Sequence, residues 1–221
     1  EEGVTQTGQE VTAQVAENFL QEKATAGILC RKTGADIFPV DMGIYRDTCI
    51  RNCKIAYGTK NMAKEPAMTR EQAIQGIETG IMLALEKKKE GYQLLATGEM
   101  GIGNTTTSSA MASVLLHREP EEVTGRGAGL STAGLNKKVE TIKKAIAMHK
   151  PDPEDPIDVL AKVGGFDIAG MIGVYLGGAA AHMPVVIDGF ISCVAALTAM
   201  RICSTAGDYM IASHVSKEPA A

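Results

Sequence analysis

Short apolar runs alternate with helix-length segments along this chain, and that alternation limits the fold more than any other feature. Tyr92 to Thr97 reads as a short buried strand, and Pro184 to Asp188 as a continuous apolar one. Each ends at a glycine (Gly98, Gly189) and leads into an apolar helical segment. Strands apolar on both faces belong to a parallel sheet covered by helices on each side, because crossover connections place helices there. The sequence therefore predicts an α/β fold: a doubly wound, mostly parallel, Rossmann-like sheet with helices on both faces. It also predicts one domain over residues 1–221, a length sufficient for a full core.

The remaining elements follow from periodicity and punctuation. Glu10 to Gln21 is an amphipathic helix with Val11, Val15, Phe19 and Leu20 on one face, and Ala24 to Arg31 is a second, short helix. Asp36 to Asp41 is a buried strand, and 42–68 is loop-rich. Thr69-Arg70-Glu71-Gln72 has capping-box spacing and opens a long helix to about Lys89. Its last turn places Lys87, Lys88 and Lys89 on the negative end of the dipole. Further helices are predicted over Ser108–His117, Leu135–Met148, Ile157–Val163, Asp167–His182 and Phe190–Cys203, with a last strand over Tyr209–Ser213. Loops fall at Gly125–Gly129 and at Pro151, Pro153 and Pro156.

Ligands in such folds sit at the carboxyl ends of the strands. Asp41-Met42-Gly43, Gly98-Glu99, Asp188-Gly189 and Ser213-His214 all fall there. The richest of these is Gly98-Glu99-Met100-Gly101-Ile102-Gly103-Asn104-Thr105-Thr106-Thr107. Glycines let backbone N–H groups turn toward a ligand, and the following helix start adds donors and the positive dipole end. Asn104 and the threonines are expected to cap that turn and to offer side-chain hydrogen bonds. A phosphate cradle and a carboxylate, Glu99, thus lie within a few residues.

Composition excludes other classes. A net charge of −4 lacks the cationic excess of a nucleic-acid binder, and 4% aromatics with no Trp leaves few stacking platforms. The longest apolar stretches, Ile168–Ala181 and Gly189–Met200, are too short to span a bilayer, and no charged-then-apolar leader opens the chain. The five scattered cysteines read as reduced thiols of a cytoplasmic protein, and Cys49 and Cys53 lack the partners of a zinc site. His117, His149 and His182, at predicted helix ends, carry no assigned chemistry, and the methionines read as core filler.

The segments GEMGIGNTTTSSA and FDIAGMIGVYLGGAAAHMPVVIDGFISCVAAL closely resemble the nicotinate-nucleotide–dimethylbenzimidazole phosphoribosyltransferase family. GVTQTGQEVT, VDMGI, KIAYGTKNMAKEPAMTREQA and SHVSKEPA resemble further signatures in the family's order, so the likeness runs from Gly3 to Ala220. The resemblance implies transfer of phosphoribosyl from nicotinate mononucleotide to 5,6-dimethylbenzimidazole, with inversion at the anomeric carbon and release of nicotinate. The product, α-ribazole 5′-phosphate, supplies the lower ligand of cobalamin. The resemblance also implies no cofactor, no metal and a homodimer, while composition leaves no nucleic-acid or membrane partner expected.

Carried over residue by residue, Gly101, Gly103, Asn104 and Thr105 match the cradle, and Glu99 matches the carboxylate at the active-site strand tip. Lys138 and Ser216 match residues near the substrate phosphate, and Thr5 stands where the family often has a base-contacting Ser. Three positions have a plain structural reading as well. Glu99 is either a proton-transfer group or a partner for a helix N-terminus. Lys138 is either a substrate contact or a solvated helix residue, and Asp188 either a ligand contact or the cap of the next helix. The family's principal catalytic Glu lies in an Arg-Leu-Gly-Glu-Gly-like motif downstream of SH-x-S-x-EP, a position beyond Ala221. The chain is therefore expected to be truncated at both ends relative to the family, with the small helical domain largely missing. Two further functions stay open: a non-catalytic nucleotide- or benzimidazole-binding fragment, and a paralogue using adenine or a phenolic base.

Overall fold

The computed structural model describes residues 2–21 and 23–221. Among them the elements run α1 (Glu10–Leu20), α2 (Thr25–Thr33), β1 (Val40–Asp41), β2 (Arg51–Asn52), α3 (Arg70–Lys89), β3 (Leu95–Ala96), α4 (Asn104–Leu116) and α5 (Pro120–Val123). There follow α6 (Thr132–His149), α7 (Pro156–Val163), α8 (Phe166–Ala180), β4 (Val185–Ile187), α9 (Phe190–Ile202), a 3-10 turn (Ser204–Tyr209) and β5 (Met210–Ala212). All strand pairing among the described residues is parallel: β1 pairs with β2, a polar, exposed strand inside the segment expected to be loop, and β4 lies between β3 and β5. The strands thus form two small sheets rather than one. The α/β class is as expected, with far more helix than strand.

Several boundaries move for physical reasons. Of Asp36–Asp41, only Val40 and Asp41 pair, and Phe38 is 45% exposed. Its ring packs edge-on to Tyr92 and beneath the Lys87 ammonium instead of entering a sheet. Tyr92–Thr97 shrinks to Leu95–Ala96, and it is not a buried strand: β3 is an edge with one neighbour, and Leu94 is 53% exposed. The helix expected from Ser108 starts at Asn104, so Asn104 and the threonines form its first turn rather than its cap. Gly103, at φ 99°, is the capping residue, a backbone conformation that favours glycine. The capping box is formed as read: Thr69 accepts from the Gln72 N–H and the Gln72 side chain accepts from the Thr69 N–H.

The core is one large apolar cluster drawn from α3, α4, α6, α7, α8 and α9, centred on buried residues such as Met111, Leu115, Ile142, Leu160 and Ile172. A smaller cluster joins Ala13 and Ala16 of α1 to Ile44 and Ile50. Beside it, buried Asp41 accepts from Lys54 at 2.7 Å, from the Ile44 N–H at 2.8 Å and from the Thr48 hydroxyl at 3.2 Å. Those bonds satisfy a charge that would otherwise be costly to bury.

The closest helix contact is α3 against α8, and small residues four apart make it. A Cβ built on Gly80 would lie 2.0 Å from the Gly170 carbonyl oxygen, and one on Gly173 would lie 2.0 Å from that of Ile77. Gly76 meets Ala169, and Gly177 meets the backbone of Ile81. The obstructing atoms are backbone and cannot swing away. Gly80→Ala is therefore expected to cost at least about 3 kcal/mol, the upper end for overpacking. Gln75→Ala, at an exposed polar residue of the same helix, should stay within about 0.5 kcal/mol. Urea unfolding of the two variants beside the parent chain checks both.

Candidate active site

Parallel pairing brings the carboxyl ends of β3, β4 and β5 to one edge, where Gly98-Glu99, Asp188-Gly189 and Ser213-His214 emerge as expected; Asp41-Met42-Gly43 instead follows β1 in the other sheet. Thr97 pins the β3 end. Its hydroxyl bonds the Tyr175 hydroxyl at 2.6 Å and donates to the Val186 carbonyl at 3.2 Å. Tyr175 is buried in α8, and burial pushes its phenol up to about 12, so it stays a neutral fastener.

From there the chain turns through Gly101 and Gly103 into α4. The turn is closed by the Asn104 N–H to the Gly101 carbonyl (3.0 Å) and the Thr106 N–H to the Gly103 carbonyl (2.9 Å). No side chain among the described residues caps α4, so the positive end of its dipole opens onto the carboxyl edge. The amino-terminal segment drapes across this turn. Thr12 accepts from the Ile102 N–H at 3.0 Å, and Gln6 donates to the Gly129 carbonyl at 2.9 Å. A Cβ on Gly103 would sit 3.9 Å from the Thr5 methyl, so exposed Thr5 borders the turn.

Lys138 is not a solvated surface residue: it is fully buried. Its ammonium donates to the Thr105 hydroxyl at 2.9 Å and to the Gly125 carbonyl at 3.1 Å, tying α6 to the first turn of α4 and to the 125–129 loop. Burial lowers its pKa, and the nearby Glu218 charge partly restores it. Glu218 lies under the same loop and accepts from the Gly127 N–H at 3.2 Å. Its Oε2 is buried with no hydrogen-bond partner among the described residues. A Cβ on Gly125 would fall 1.7 Å from that oxygen and 2.9 Å from Pro219 Cδ, so a side chain there would displace the Glu218 carboxylate. Ser216 accepts from the Glu218 N–H at 3.3 Å, so the 216–218 segment borders the cradle. Ala221 is exposed and adds nothing to the site: its N–H donates to the Glu218 carbonyl at 3.2 Å.

The acidic part of the site is a cluster, not one residue. The Asn104 side-chain amide donates to Glu99 Oε2 and, at 2.8 Å, to Asp167 Oδ2. Burial first, and then the Asp167 charge, push Glu99 up to about 7 against the hydrogen bonds from Asn104 and the Gly101 N–H. Asp188 adds a smaller push in the same direction. Burial also raises Asp167, opposed by Asn104 and by its own and the Ile168 N–H groups at the start of α8. Asp167 is not among the expected site residues. Its one sequence signal is an acid at the second position of an otherwise apolar helix behind Gly164-Gly165. Asp188 is exposed; Gly189 holds the α9 cap position with no side-chain cap bond, so the capping reading of Asp188 is not what forms. His214, also at this edge, bonds through Nδ1 to its neighbour Ser213 at 2.8 Å.

Glu99, Gly101, Gly103, Asn104, Thr105 and Lys138 thus form one connected wall, with Thr5, Asp188 and Ser216 around it. The site is an open edge; two surface hollows of about 520 and 440 Å³ lie elsewhere, between α4 and α6 and around α2.

The strand ends of this parallel α/β fold thus carry a glycine turn, a buried lysine and a carboxyl pushed up by burial. The family is settled by comparison: residues 1–221 match the phosphoribosyltransferase family model, and the chain belongs to that family. It is 51% identical to the nicotinate-nucleotide–dimethylbenzimidazole phosphoribosyltransferase of Clostridium tetani, over 99% of this chain and 61% of that protein. It is 52% identical to the one of Ruminiclostridium cellulolyticum, over 99% of this chain and 63% of that protein. The chain therefore spans about three fifths of the length of these curated relatives. Among solved structures it is similar to CobT from Thermus thermophilus, with a TM-score of 0.94 and 36% identity over 99% of this chain and 67% of that one.

The Glu99 site has a stability consequence. Below pH 4.5 the carboxyl is protonated in both folded and unfolded chains and contributes nothing. Between 4.5 and about 7 only the unfolded chain ionises, so the fold loses stability as pH rises. Glu99→Gln keeps the shape without that ionisation. Relative to the parent it should gain about 2–3 kcal/mol between roughly pH 5 and pH 8. Equal differences between the two chains at both pH values would refute the assignment; chemical denaturation in two buffers suffices.

Proposed function

We propose that this chain binds nicotinate mononucleotide and transfers its phosphoribosyl group to 5,6-dimethylbenzimidazole, giving α-ribazole 5′-phosphate and nicotinate. One observation carries the reading. Asn104, bonded to Glu99, is followed directly by Thr105, bonded to buried Lys138. Proton chemistry and an anion anchor are therefore adjacent on one helix turn. In this reading the 5′-phosphate rests on Gly101, Gly103 and Thr105 with Lys138 behind them and Ser216 at the rim. Thr5 borders the base, and Asp188 the ribose.

The chemistry needs little more. Nicotinate leaves a cationic pyridinium, so the bond from the anomeric carbon to its ring nitrogen breaks without an added acid. A benzimidazole nitrogen forms the new bond from the opposite face, and the proton on the other ring nitrogen must leave. Glu99, ionised, accepts it; a carboxylate with a value near 7 is a better base than an ordinary one at neutral pH. Holding both reactants in line supplies much of the remaining acceleration. The working enzyme is proposed to be a cytoplasmic homodimer. α3 leaves Ile74, Met82 and Leu85 exposed, an apolar surface that a second copy would cover. No helix among the described residues is long and apolar enough to cross a membrane.

Nicotinate release from the mononucleotide, followed with and without dimethylbenzimidazole, tests the transfer. Release that requires the base supports it; equal release without base makes the activity a hydrolysis, and binding without release leaves only a nucleotide-binding role. Glu99→Gln should lower base-dependent turnover about 10²-fold, the lower range for loss of a general base. Gly103→Val cannot hold φ 99° without strain and should weaken mononucleotide affinity at least about tenfold in calorimetry.

A further inference from the structure

One amide holds two carboxyl groups in this site. The Asn104 Nδ2 serves both Glu99 Oε2 and Asp167 Oδ2, so the two acids are only an amide apart. Glycine on either side makes the approach feasible. A Cβ on Gly101 would lie 2.9 Å from both Asn104 Nδ2 and Asp167 Oδ2, and one on Gly165 would lie 2.5 Å from Asp167 Oδ1. Two carboxylates this close in a partly buried site do not both ionise readily. Their surroundings decide which keeps the charge. Asp167 sits in the first turn of α8, where its own N–H and that of Ile168 bond it and the helix dipole favours an anion. Glu99, on the loop beyond β3, has the Gly101 N–H and a share of Asn104.

We propose that Asp167 is a positioning residue: bound to Asn104 as the resident anion, it keeps the proton on Glu99 in the ligand-free site and sets the pH at which Glu99 turns into a base. This rests on Glu99 being the proton acceptor of the reaction proposed above. The charged and polar groups that face Glu99 are Asp167 from α8, Asn104 from α4, the Gly101 N–H from its own loop and Asp188 from the β4–α9 connection. Asp188 is solvent-exposed, so water screens its charge, whereas Asp167 acts through a shared hydrogen-bond donor. Asp167 touches no reacting atom in this scheme. It raises the basicity of a group that does, at the cost of a smaller ionised fraction at low pH.

The test is a carboxyl titration by carbon-13 NMR on the 221-residue chain labelled at its glutamate carboxyls, with Glu99 assigned by loss of its signal in Glu99→Gln. In Asp167→Asn the Glu99 midpoint should fall by about one pH unit or more. In Asp188→Asn it should fall by less. An unmoved midpoint in Asp167→Asn, or a larger fall in Asp188→Asn, overturns the proposal. The parent chain supplies a second measurement that no variant's folding can compromise. The Glu99 signal should move in two steps, the smaller one at lower pH where Asp167 takes up its proton. A single step overturns the proposal as well. Turnover adds a separate reading: in Asp167→Asn the acid limb of kcat/KM should move to lower pH with the NMR midpoint, whereas a merely structural role would lower activity equally at every pH. The titration stands whether or not the chain transfers phosphoribose, so loss of the transferase reading and loss of this one are told apart.

Discussion

The seating of α8 on α3 is the contact on which the rest depends. With glycine facing backbone at Gly80 and Gly173, the two helices approach until main chain meets main chain. Dispersion over such a surface is large because no side chain holds the helices apart. What rides on α8 explains why the distance matters. Its first turn carries Asp167, and its middle carries Tyr175, whose hydroxyl fastens Thr97 at the tip of β3. Displacing α8 by the width of a methyl group would therefore move an acid of the site and the strand end that presents Glu99 together.

A second constraint is electrostatic. Lys138, Glu218, Glu99 and Asp167 are all wholly or partly withdrawn from water near a single helix start. Burial works against the charges of Lys138, Glu99 and Asp167, and hydrogen bonds oppose it for the two acids to different degrees. Asp167 has backbone N–H groups at a helix start; Glu99 has one loop N–H and part of an amide. Lys138 is held by a hydroxyl and a carbonyl, neither of which cancels its charge, and feels Glu218 at longer range. The cation side and the acid side of the site are thus kept distinct by Thr105 and Asn104, adjacent residues of one turn facing different partners.

Much of this is legible in the residues. The capping box at Thr69 fixes the start of α3, since both of its hydrogen bonds are local. The long helices fall within a few residues of their expected bounds, because their apolar faces repeat at helical spacing. The parallel strands are placed but drawn too long, because an apolar run such as Asp36–Asp41 does not state whether a sheet edge is available to receive it. The α3–α8 glycine contact escapes a sequence reading: a small-residue stripe weakens a helix by propensity and shows its purpose only when the other helix is in place. Asp167 escapes it for a related reason. It is far from Glu99 in sequence, and its meaning comes entirely from the amide that joins them. Lys138 looks like one of several lysines on a helix face, and only burial separates it from Lys137, Lys143 and Lys144.

The carboxyl edge of a parallel sheet explains why acidic side chains and open helix starts meet here. Each strand there hands its chain to a helix, so the edge concentrates helix starts, with their unpaired N–H groups and positive dipole ends. An anion binds such a place readily, and so does an acidic side chain of the protein itself. Asp167 takes the α8 start, and α4, capped by a glycine with no side chain, leaves its own start open. One helix start thus holds an acidic side chain of the protein, and the neighbouring one has no side chain across it. Glu99 lies between the two, bonded to the first residue of α4 and next to the acid of α8. The basicity of that carboxyl is therefore set by the charges and dipoles gathered at these two helix starts.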